Sequence, residues 1–297
     1  MDINAVKLNF NRDTVLLINV LVAIIMFGVA LEIKKEDFVR LFKNPKAAFV
    51  GLFSQYILLP LFTILIIITL DPHPGLALGM ILVAACPGGS MSNFFANLAK
   101  GNLALSVSLT AFSSGLSFIL TPFSFLFWGS LLPNSRNYLK QISVNPLEMF
   151  VSITILLFIP LVLGIGFQTL WPNFTLKIKR FIQRLSIVLL AFFIVGALFG
   201  NWRFFIEYIH ILFVLVFLMN LFGLASGYYL AKIFSLEHRD RKTISIETGI
   251  QNSSLGLAIV FGFFDGLGGM ALICAWWGIW HLITGALISF YWRRRDP

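Results

Sequence analysis

The sequence predicts an all-α polytopic membrane protein, and three observations support that prediction. Of the 297 residues, 58% are hydrophobic and 12% are charged, whereas about 25% of an average soluble domain is charged. Apolar runs long enough to cross a bilayer recur along the whole chain, beginning with Thr14–Ile33. The basic residues collect in alternate segments between those runs. The core is therefore expected to be the interior of a helix bundle in lipid.

Nine apolar segments are long enough to be transmembrane helices, and we name them H1 to H9. In order, they are H1 (about 14–33), H2 (about 46–70), H3 (about 75–99), H4 (about 103–128), H5 (about 147–171), H6 (about 183–200), H7 (about 207–234), H8 (about 243–265) and H9 (about 268–292). These lengths suit spans of roughly 20 residues with some tilt. No Gly/Ser-rich linker or low-complexity run divides the chain, so residues 1–297 are expected to form one domain.

The distribution of basic residues predicts the orientation of the chain. With the N-terminus outside, 17 of the 22 Lys and Arg residues fall in the inside segments. Membrane proteins concentrate Lys and Arg in their cytoplasmic loops, so we expect the N-terminus outside and the C-terminus in the cytoplasm. The same loops account for the net charge of +9 without a nucleic-acid partner. The expected location is the plasma membrane, which is the cell inner membrane in a bacterium.

Two of the predicted spans are interrupted. H3 carries Pro87, Gly88 and Gly89 near its middle, where proline removes an amide donor and glycine weakens the helix. H8 carries Gly249 between polar residues. Broken backbone at membrane depth is tolerated only where protein or a cavity satisfies its polar groups. The breaks therefore indicate a binding site, although Pro/Gly kinks that only assist packing would give the same pattern.

The positions of the breaks predict an inverted repeat. H3 is third in the unit H1–H4 (about 14–128), and H8 is third in the unit H6–H9 (about 183–292). The first unit starts outside and the second starts inside, while H5 (about 147–171) links them. In transporters built from such repeats, the discontinuous helices form the substrate and ion sites near the midplane.

Glu247 is the clearest acidic residue inside a predicted span. Placing a carboxylate at membrane depth is unfavourable by about 2.5–3.5 kcal/mol or more, so such a residue is a candidate functional group. No Lys or Arg lies at the same predicted depth. A cation from solution is the natural partner, and a proton is its rival. Hard cations prefer oxygen ligands.

Oxygen-bearing groups are dense at a similar depth. They are Gln55 in H2, Ser90, Ser92 and Asn93 at the H3 break, Ser106 and Thr110 in H4, and Gln251, Asn252, Ser253 and the carbonyls of Thr248 and Ile250 in H8. Taken singly, each has a structural explanation, because such side chains bond to helix backbone, cap helix ends or join helices. Because all of these groups are expected at a similar depth to Glu247, together they favour an ion site.

Other candidate chemistry is weaker. His281 lies in the middle of H9 and is suited either to contact an anionic substrate or to bond a neighbouring carbonyl. Cys86 and Cys274 both fall in apolar segments and support neither a disulfide framework nor a zinc site. Paired carboxylates and a Ser–His arrangement are not evident in the spans, so we expect neither an enzyme nor a cofactor other than coupling ions.

Three segments of the sequence resemble the bile acid:sodium symporter family. They are "FGVALEIKKEDFVRLFKNPK" at the end of H1, "CPGGSMSNFFANLAKGNLALSVSLTAFSS" across H3 and H4, and "ETGIQNSSLGLAIV" in H8. The resemblance covers nearly the whole chain. It implies two broken helices that cross, a core domain with a panel domain, and symport of an organic anion with sodium by alternating access.

The resemblance also implies particular ligands. The first sodium site would use Ser92, Asn93, Ser106, Thr110 and Glu247. The second would use Gln55, Glu247, Gln251 and the carbonyls of Thr248 and Ile250. Candidate substrate contacts are Ser90, Asn93, Asn252 and His281.

The resemblance leaves the substrate open. Ser90 stands where a threonine is common in the family, and Leu282 stands where some members have a polar residue. Because the family carries bile acids, pantoate, steroid sulfates and other organic anions, the expected substrate is a bile acid-like or other carboxylate or sulfate. A pantoate or other small organic-acid carrier is an alternative, and a proton/sodium antiporter is a second. The expected partners are this anion, sodium and the lipid bilayer.

Overall fold

The computed structural model describes residues 20, 23–24, 26–31, 33–132, 146–182, 184–185, 188, 202–264 and 266–295. Within these residues the named secondary structure elements are all helical, which confirms the predicted all-α class. Nearly all of predicted H6 and the first part of H1 lie outside the described residues.

Most of the helices lie at the predicted spans, whereas the helix Lys35–Lys43 lies in the basic segment between H1 and H2. In chain order, the helices are α1 (Lys35–Lys43), α2 (Pro45–Phe53), α3 (Leu59–Leu70), α4 (Pro74–Ala85), α5 (Ser90–Leu98), α6 (Leu103–Gly115), α7 (Ser117–Ser130), α8 (Pro146–Leu170), α9 (Trp202–Ile233), α10 (His238–Gly249), α11 (Ser253–Phe263) and α12 (Gly268–Arg295). A π-helical turn, Ser54–Leu58, joins α2 to α3 without a break. Residues 23–24, 26–30 and 172–182 are also helical.

Four continuous helices in the described residues are long and apolar enough to cross a membrane. They are Pro45–Leu70, Ile153–Leu170, Ile206–Ile233 and Gly268–Arg295, and α6 with α7 makes a fifth when the bent pair is counted as one span. These helices lie at the positions predicted for H2, H5, H7, H9 and H4. The total of nine spans and the inverted relation of the two units stay predictions.

Both predicted breaks are present. In H3, α4 ends at Ala85 and α5 begins at Ser90, so the Pro-Gly-Gly sequence lies in the non-helical gap. In H8, α10 ends at Gly249 and α11 begins at Ser253. The sequence signals for helix interruption therefore locate both gaps to within a few residues.

H4 differs from the expected single helix over 103–128, because α6 and α7 meet at an angle of 75°. The bend follows Gly115 and is flanked by two serines whose hydroxyls bond backbone carbonyls of α6. Ser113 Oγ donates to the carbonyl of Thr110 at 3.2 Å, and Ser117 Oγ donates to that of Ser114 at 2.8 Å. Such hydroxyl bonds and Gly/Ser pairs are known causes of helix bending.

A close contact between α9 and α10 positions the second broken helix. A Cβ atom added to Gly227 would lie 2.7 Å from the carbonyl oxygen of Ile244 and 2.9 Å from Cα of Ser245. Gly223, one turn earlier, also faces α10. This small-residue spacing lets two membrane helices approach backbone to backbone. The hydroxyl of Ser245 then donates to the Leu224 carbonyl at 2.7 Å, which fixes α10 against a continuous span.

Candidate functional site

The two helix breaks lie against each other. Gly88 and Gln251 form an isolated antiparallel bridge. The amide of Asn252 donates to the carbonyl of Pro87 at 2.9 Å, and the amide of Gly89 donates to that of Ile250 at 3.2 Å. Each break therefore satisfies backbone groups that the other leaves free, which is the condition for irregular backbone at membrane depth.

Two asparagines satisfy helix ends next to the crossing. The side-chain oxygen of Asn252 accepts the amide of Leu255 at 3.1 Å and so caps α11. The side-chain amide of Asn220, on α9, donates to the carbonyl of Gly249 at 2.8 Å and satisfies the last turn of α10. The sequence analysis did not single out Asn220. Its only signal is that it is an amide residue inside the apolar H7 segment.

Glu247 lies at the centre of a cluster of hydroxyl groups. Its side chain is 1% exposed. Oε2 accepts the hydroxyl of Ser92 at 2.6 Å and that of Ser106 at 3.2 Å, while Oε1 accepts the hydroxyl of Thr110 at 2.7 Å. Ser106 and Thr110 reach the carboxyl group together because they are one helical turn apart on α6.

The structure brings together all five residues predicted for the first sodium site. Asn93 joins the cluster through its side-chain oxygen, which lies 3.2 Å from the Thr110 hydroxyl. Each hydroxyl that donates to Glu247 keeps lone pairs, so the cluster presents hydroxyl, amide and carboxyl oxygens at short range. Oxygen ligands of this kind suit a hard cation.

Gly88 leaves room for the Glu247 side chain. A Cβ atom at position 88 would collide with Oε1 of Glu247 and would lie 2.9 Å from its Cδ. Glycine is needed here because of a close approach, and the helix break and the carboxyl cluster therefore depend on the same residue.

The residues predicted for the second sodium site also meet, with Gln251 between them. The Gln251 side-chain amide donates to the carbonyl of Thr248 at 2.9 Å and to that of Glu247 at 3.3 Å. The Gln55 side-chain amide lies 3.4 Å from the Gln251 side-chain oxygen. Oε1 of Gln55 is buried and has no hydrogen-bond partner. The carbonyl of Ile250, the last predicted ligand, accepts the amide of Gly89.

The π-helical turn was not predicted, and it contributes a residue that the sequence analysis did not consider. Ser54 begins the turn and hydrogen-bonds through its hydroxyl to that of Thr248. Ser54 and Gln55 thus contact α10 side by side. Such π-helical turns are rare and often occur at functional sites. The available signal was a Ser-Gln pair within an otherwise apolar span.

The predicted substrate contacts occupy three positions around the crossing. Ser90 is exposed at the start of α5, Asn93 is half-buried in the carboxyl cluster, and Asn252 caps α11. His281 is buried on α12, and its Nδ1 atom has no hydrogen-bond partner. Its ring makes an edge contact with Trp277, with the ring centres 6.3 Å apart.

The course of α12 relates His281 to the breaks. One turn after His281, Gly285 packs so closely against Phe95 of α5 and Ile250 of the H8 break that an added Cβ atom would lie within 2.8 Å of each. His281 is therefore adjacent to the crossing, although no hydrogen bond joins it to Ser90, Asn93 or Asn252 in the described part of the chain.

Comparisons with known proteins agree on one family. Residues 19–208 match the model of the sodium bile acid symporter family. The chain is 29% identical over 278 residues to an uncharacterized sodium-dependent transporter of Bacillus subtilis, YocS, which covers 94% of this chain and 83% of that protein. It is 28% identical to the human ileal sodium/bile acid cotransporter, over 85% of this chain and 72% of that protein.

A plant relative is longer than the matched region. The probable sodium/metabolite cotransporter BASS1 of Arabidopsis chloroplasts is 28% identical over 92% of this chain, and the match spans 66% of that protein. The family model ends before Glu247, whereas a match over 94% of this chain, as with the Bacillus protein, necessarily includes it.

Proposed function

Because the chain belongs to the sodium bile acid symporter family, we propose that it moves an organic anion across the membrane together with two sodium ions bound at the crossing of its broken helices. Membership makes the chain a sodium-coupled, multi-pass membrane transporter. It also confirms that the chain is not an enzyme, since the family consists of sodium-dependent transporters.

One observation supports the ion sites above all. The buried carboxyl group of Glu247 is bonded to three hydroxyls from α5 and α6, and no Lys or Arg bonds to it in the described residues. A buried carboxylate that stays ionised must be paired or must coordinate a metal ion. Sodium bound among Ser92, Asn93, Ser106, Thr110 and Glu247 would provide that pairing.

A second ion would bind where Gln251 meets the carbonyls at the end of α10. Its ligands would be Gln55, Glu247, Gln251 and the carbonyls of Thr248 and Ile250. The unpartnered side-chain oxygen of Gln55 supports this position, because a buried oxygen without a donor is costly unless a ligand satisfies it. The C-terminal end of α10 adds negative partial charge at the same place.

The anion would bind near the N-terminal ends of the half-helices. Both α5, which starts at Ser90, and α11, which starts at Ser253, begin at the crossing. Helix N-termini attract anions through free amides and partial positive charge. Ser90, Asn93, Asn252 and His281 are the proposed contacts. The substrate would be a bile acid-like carboxylate or sulfate, with pantoate or another small organic acid as the alternative.

The charges of the proposed ligands favour their binding together. Two sodium ions beside one carboxylate leave one net positive charge, which a monovalent anion neutralises. The fully loaded site then has no net charge, whereas the empty site has the negative charge of Glu247, so one positive charge moves in each transport cycle. A transported charge gains about 2.3 kcal/mol per 100 mV, so coupling to two sodium ions can concentrate the anion.

The proposed architecture is a single domain of nine spans with inverted repeats and a core that rocks against a panel. Broken H3 and H8 with their neighbours H2, H4, H7 and H9 would form the core. Contacts between α8 and the first span, including Phe27 with Phe167 at a ring distance of 5.8 Å, support a separate panel layer. The N-terminus would lie outside and the C-terminus in the cytoplasm of a plasma membrane.

Sodium-dependent thermal stability of the purified protein tests this proposal. A ligand that binds only the folded state raises its stability, by about 1.4 kcal/mol when its concentration is tenfold above the dissociation constant. The melting temperature should rise with sodium but not with potassium or choline, and Glu247→Gln should abolish the rise. Glu207→Gln, a change at an exposed acid on α9, is the matched control.

Uptake into proteoliposomes completes the test. Sodium-driven accumulation of an organic anion by wild type, lost in Glu247→Gln, is the expected result. Proton flux without sodium dependence would support the antiporter alternative instead. Normal sodium-driven uptake by the Glu247 variant would refute the proposed site.

A further inference from the structure

Prolines inside the described membrane helices remove backbone donors, and two of them lie in α3 and α7. Proline has no amide hydrogen, so the carbonyl four residues earlier loses its donor. Pro122 in α7 has this effect on Phe118, and Pro60 removes an amide where the π-helical turn passes into α3. Such freed carbonyls within a membrane need another donor, because no water is available in the hydrocarbon region.

Side chains from neighbouring helices bond the carbonyls of Phe118 and of Tyr56, which lies in the π-helical turn just before Pro60. The indole nitrogen of Trp128, on α7, donates to the Tyr56 carbonyl at 3.2 Å. The hydroxyl of Thr154, on α8, donates to the Phe118 carbonyl at 2.9 Å. Helix α7 therefore receives one hydrogen bond near its start and supplies another near its end. Phe118 and Trp128 are ten residues apart, or about 15 Å along a helix.

The Trp128 bond ends inside the π-helical turn that carries Gln55. Tyr56 is the next residue after Gln55, and the turn covers Ser54–Leu58. The amide of Leu59 still donates to Ser54, which maintains the wide turn at its start. The Trp128 indole bonds the Tyr56 carbonyl within this turn, so it holds the backbone at the residue adjacent to the proposed ion ligand.

We infer that Trp128 is a positioning residue for the sodium site, acting through the Tyr56 carbonyl to hold Gln55 toward Gln251 and the end of α10. Thr154 supports the same arrangement from α8, because it fixes the start of α7 beyond the 75° bend. This inference rests on the proposed function, since it assigns Trp128 a role in sodium binding. Neither residue contacts the ion ligands directly in the described structure.

Substitution of the indole by a phenyl ring tests the inference. Trp128→Phe keeps an aromatic side chain and removes the donor. The sodium concentration for half-maximal thermal stabilisation should increase about fivefold, which is the scale of one net hydrogen bond. Trp171→Phe, at an exposed tryptophan that follows α8, should leave that concentration unchanged. Thr154→Val, which also keeps its shape, should increase it by about twofold.

A double-mutant cycle separates positioning from packing. Pro60→Ala supplies an amide four residues after Tyr56, which in a regular α-helix bonds the Tyr56 carbonyl, so Trp128→Phe should have much less effect on sodium binding in that background. An equal effect in both backgrounds would show that Trp128 acts by packing and would overturn the inference. Unchanged sodium binding in both Trp128→Phe and Thr154→Val would also overturn it.

The cycle also distinguishes failure of this inference from failure of the proposed function. A wild-type protein that shows no sodium-specific stabilisation contradicts the proposed function itself. A wild type that responds to sodium, with variants that respond identically, contradicts only the role of Trp128. If Trp128→Phe does not fold, the inference is tested with Thr154→Val. A normal sodium response of Thr154→Val contradicts the inference.

Discussion

The hydroxyl of Ser92 donates to Oε2 of Glu247 at 2.6 Å. This hydrogen bond joins the two broken helices, although the two residues are 155 positions apart in the sequence. The same hydroxyl also lies 2.7 Å from the carbonyl of Gly89, at the N-terminal end of α5. Ser92 therefore connects the carboxyl cluster to the end of a half-helix. A cation that binds among these oxygens must rearrange the hydrogen bonds that the Ser92 hydroxyl makes.

Ser92→Ala should weaken sodium binding without preventing folding. The change removes one hydroxyl ligand and one donor to Glu247, and we expect the sodium concentration for half-maximal stabilisation to rise about tenfold, since a hydrogen bond to a charged group contributes about 1.5–3 kcal/mol. Ser108→Ala is the control, because the Ser108 hydroxyl bonds the Ala104 carbonyl of its own helix. An equal effect of the two substitutions on sodium titrations would contradict the role given to Ser92.

Gly88→Ala should disrupt the carboxyl cluster more strongly than the removal of one hydroxyl. The added methyl group would collide with the Glu247 carboxyl group and must displace either that side chain or the break. We expect loss of sodium-driven uptake in proteoliposomes and a lower melting temperature in sodium. Gly166→Ala in α8 is the matched control, because its Cβ atom would meet nothing within 4 Å and alanine favours a helix. Sodium-driven uptake by Gly88→Ala at the wild-type rate would show that the crossing tolerates a side chain there.

The sequence was sufficient to predict those parts of the site that depend on local chemistry. Proline and glycine determine where H3 and H8 are interrupted, because they act on the backbone of their own helix. Glu247 was identifiable because a carboxylate in an apolar span is costly. The oxygen groups predicted around it are close together in the structure, since Ser106 and Thr110 share a helix face and Ser92 follows the break.

The features that sequence analysis missed depend on contacts between distant residues. The Trp128 indole bonds the Tyr56 carbonyl, and nothing in the sequence near Tyr56 indicates that donor. The role of Ser54 depends on a π-helical turn and on its contact with Thr248. The bend between α6 and α7 was missed because the apolar run continues through Gly115, so hydropathy predicts one helix.

Asn220 provides a test of how the end of α10 is stabilised. Asn220→Leu keeps the approximate size of the side chain and removes the donor to Gly249. Because Asn220 is 1% exposed, the carbonyl would be left buried with one fewer donor, and the free energy of unfolding should fall by about 1–3 kcal/mol. The displacement of α10 should also weaken sodium binding through the carbonyls of Thr248 and Ile250. Both effects are measurable in one set of melting curves recorded at several sodium concentrations.

Met219→Leu is the control for this substitution, because Met219 is the preceding residue of α9 and is fully buried. A volume-conserving change between apolar side chains usually costs less than about 1.5 kcal/mol, and it leaves the Gly249 carbonyl bonded. A loss of stability in Asn220→Leu with an unchanged sodium response would show that Asn220 supports the fold alone. If Asn220→Leu keeps both its stability and its sodium response, the break at Gly249 is held by the contact of α10 with Gly223 and Gly227.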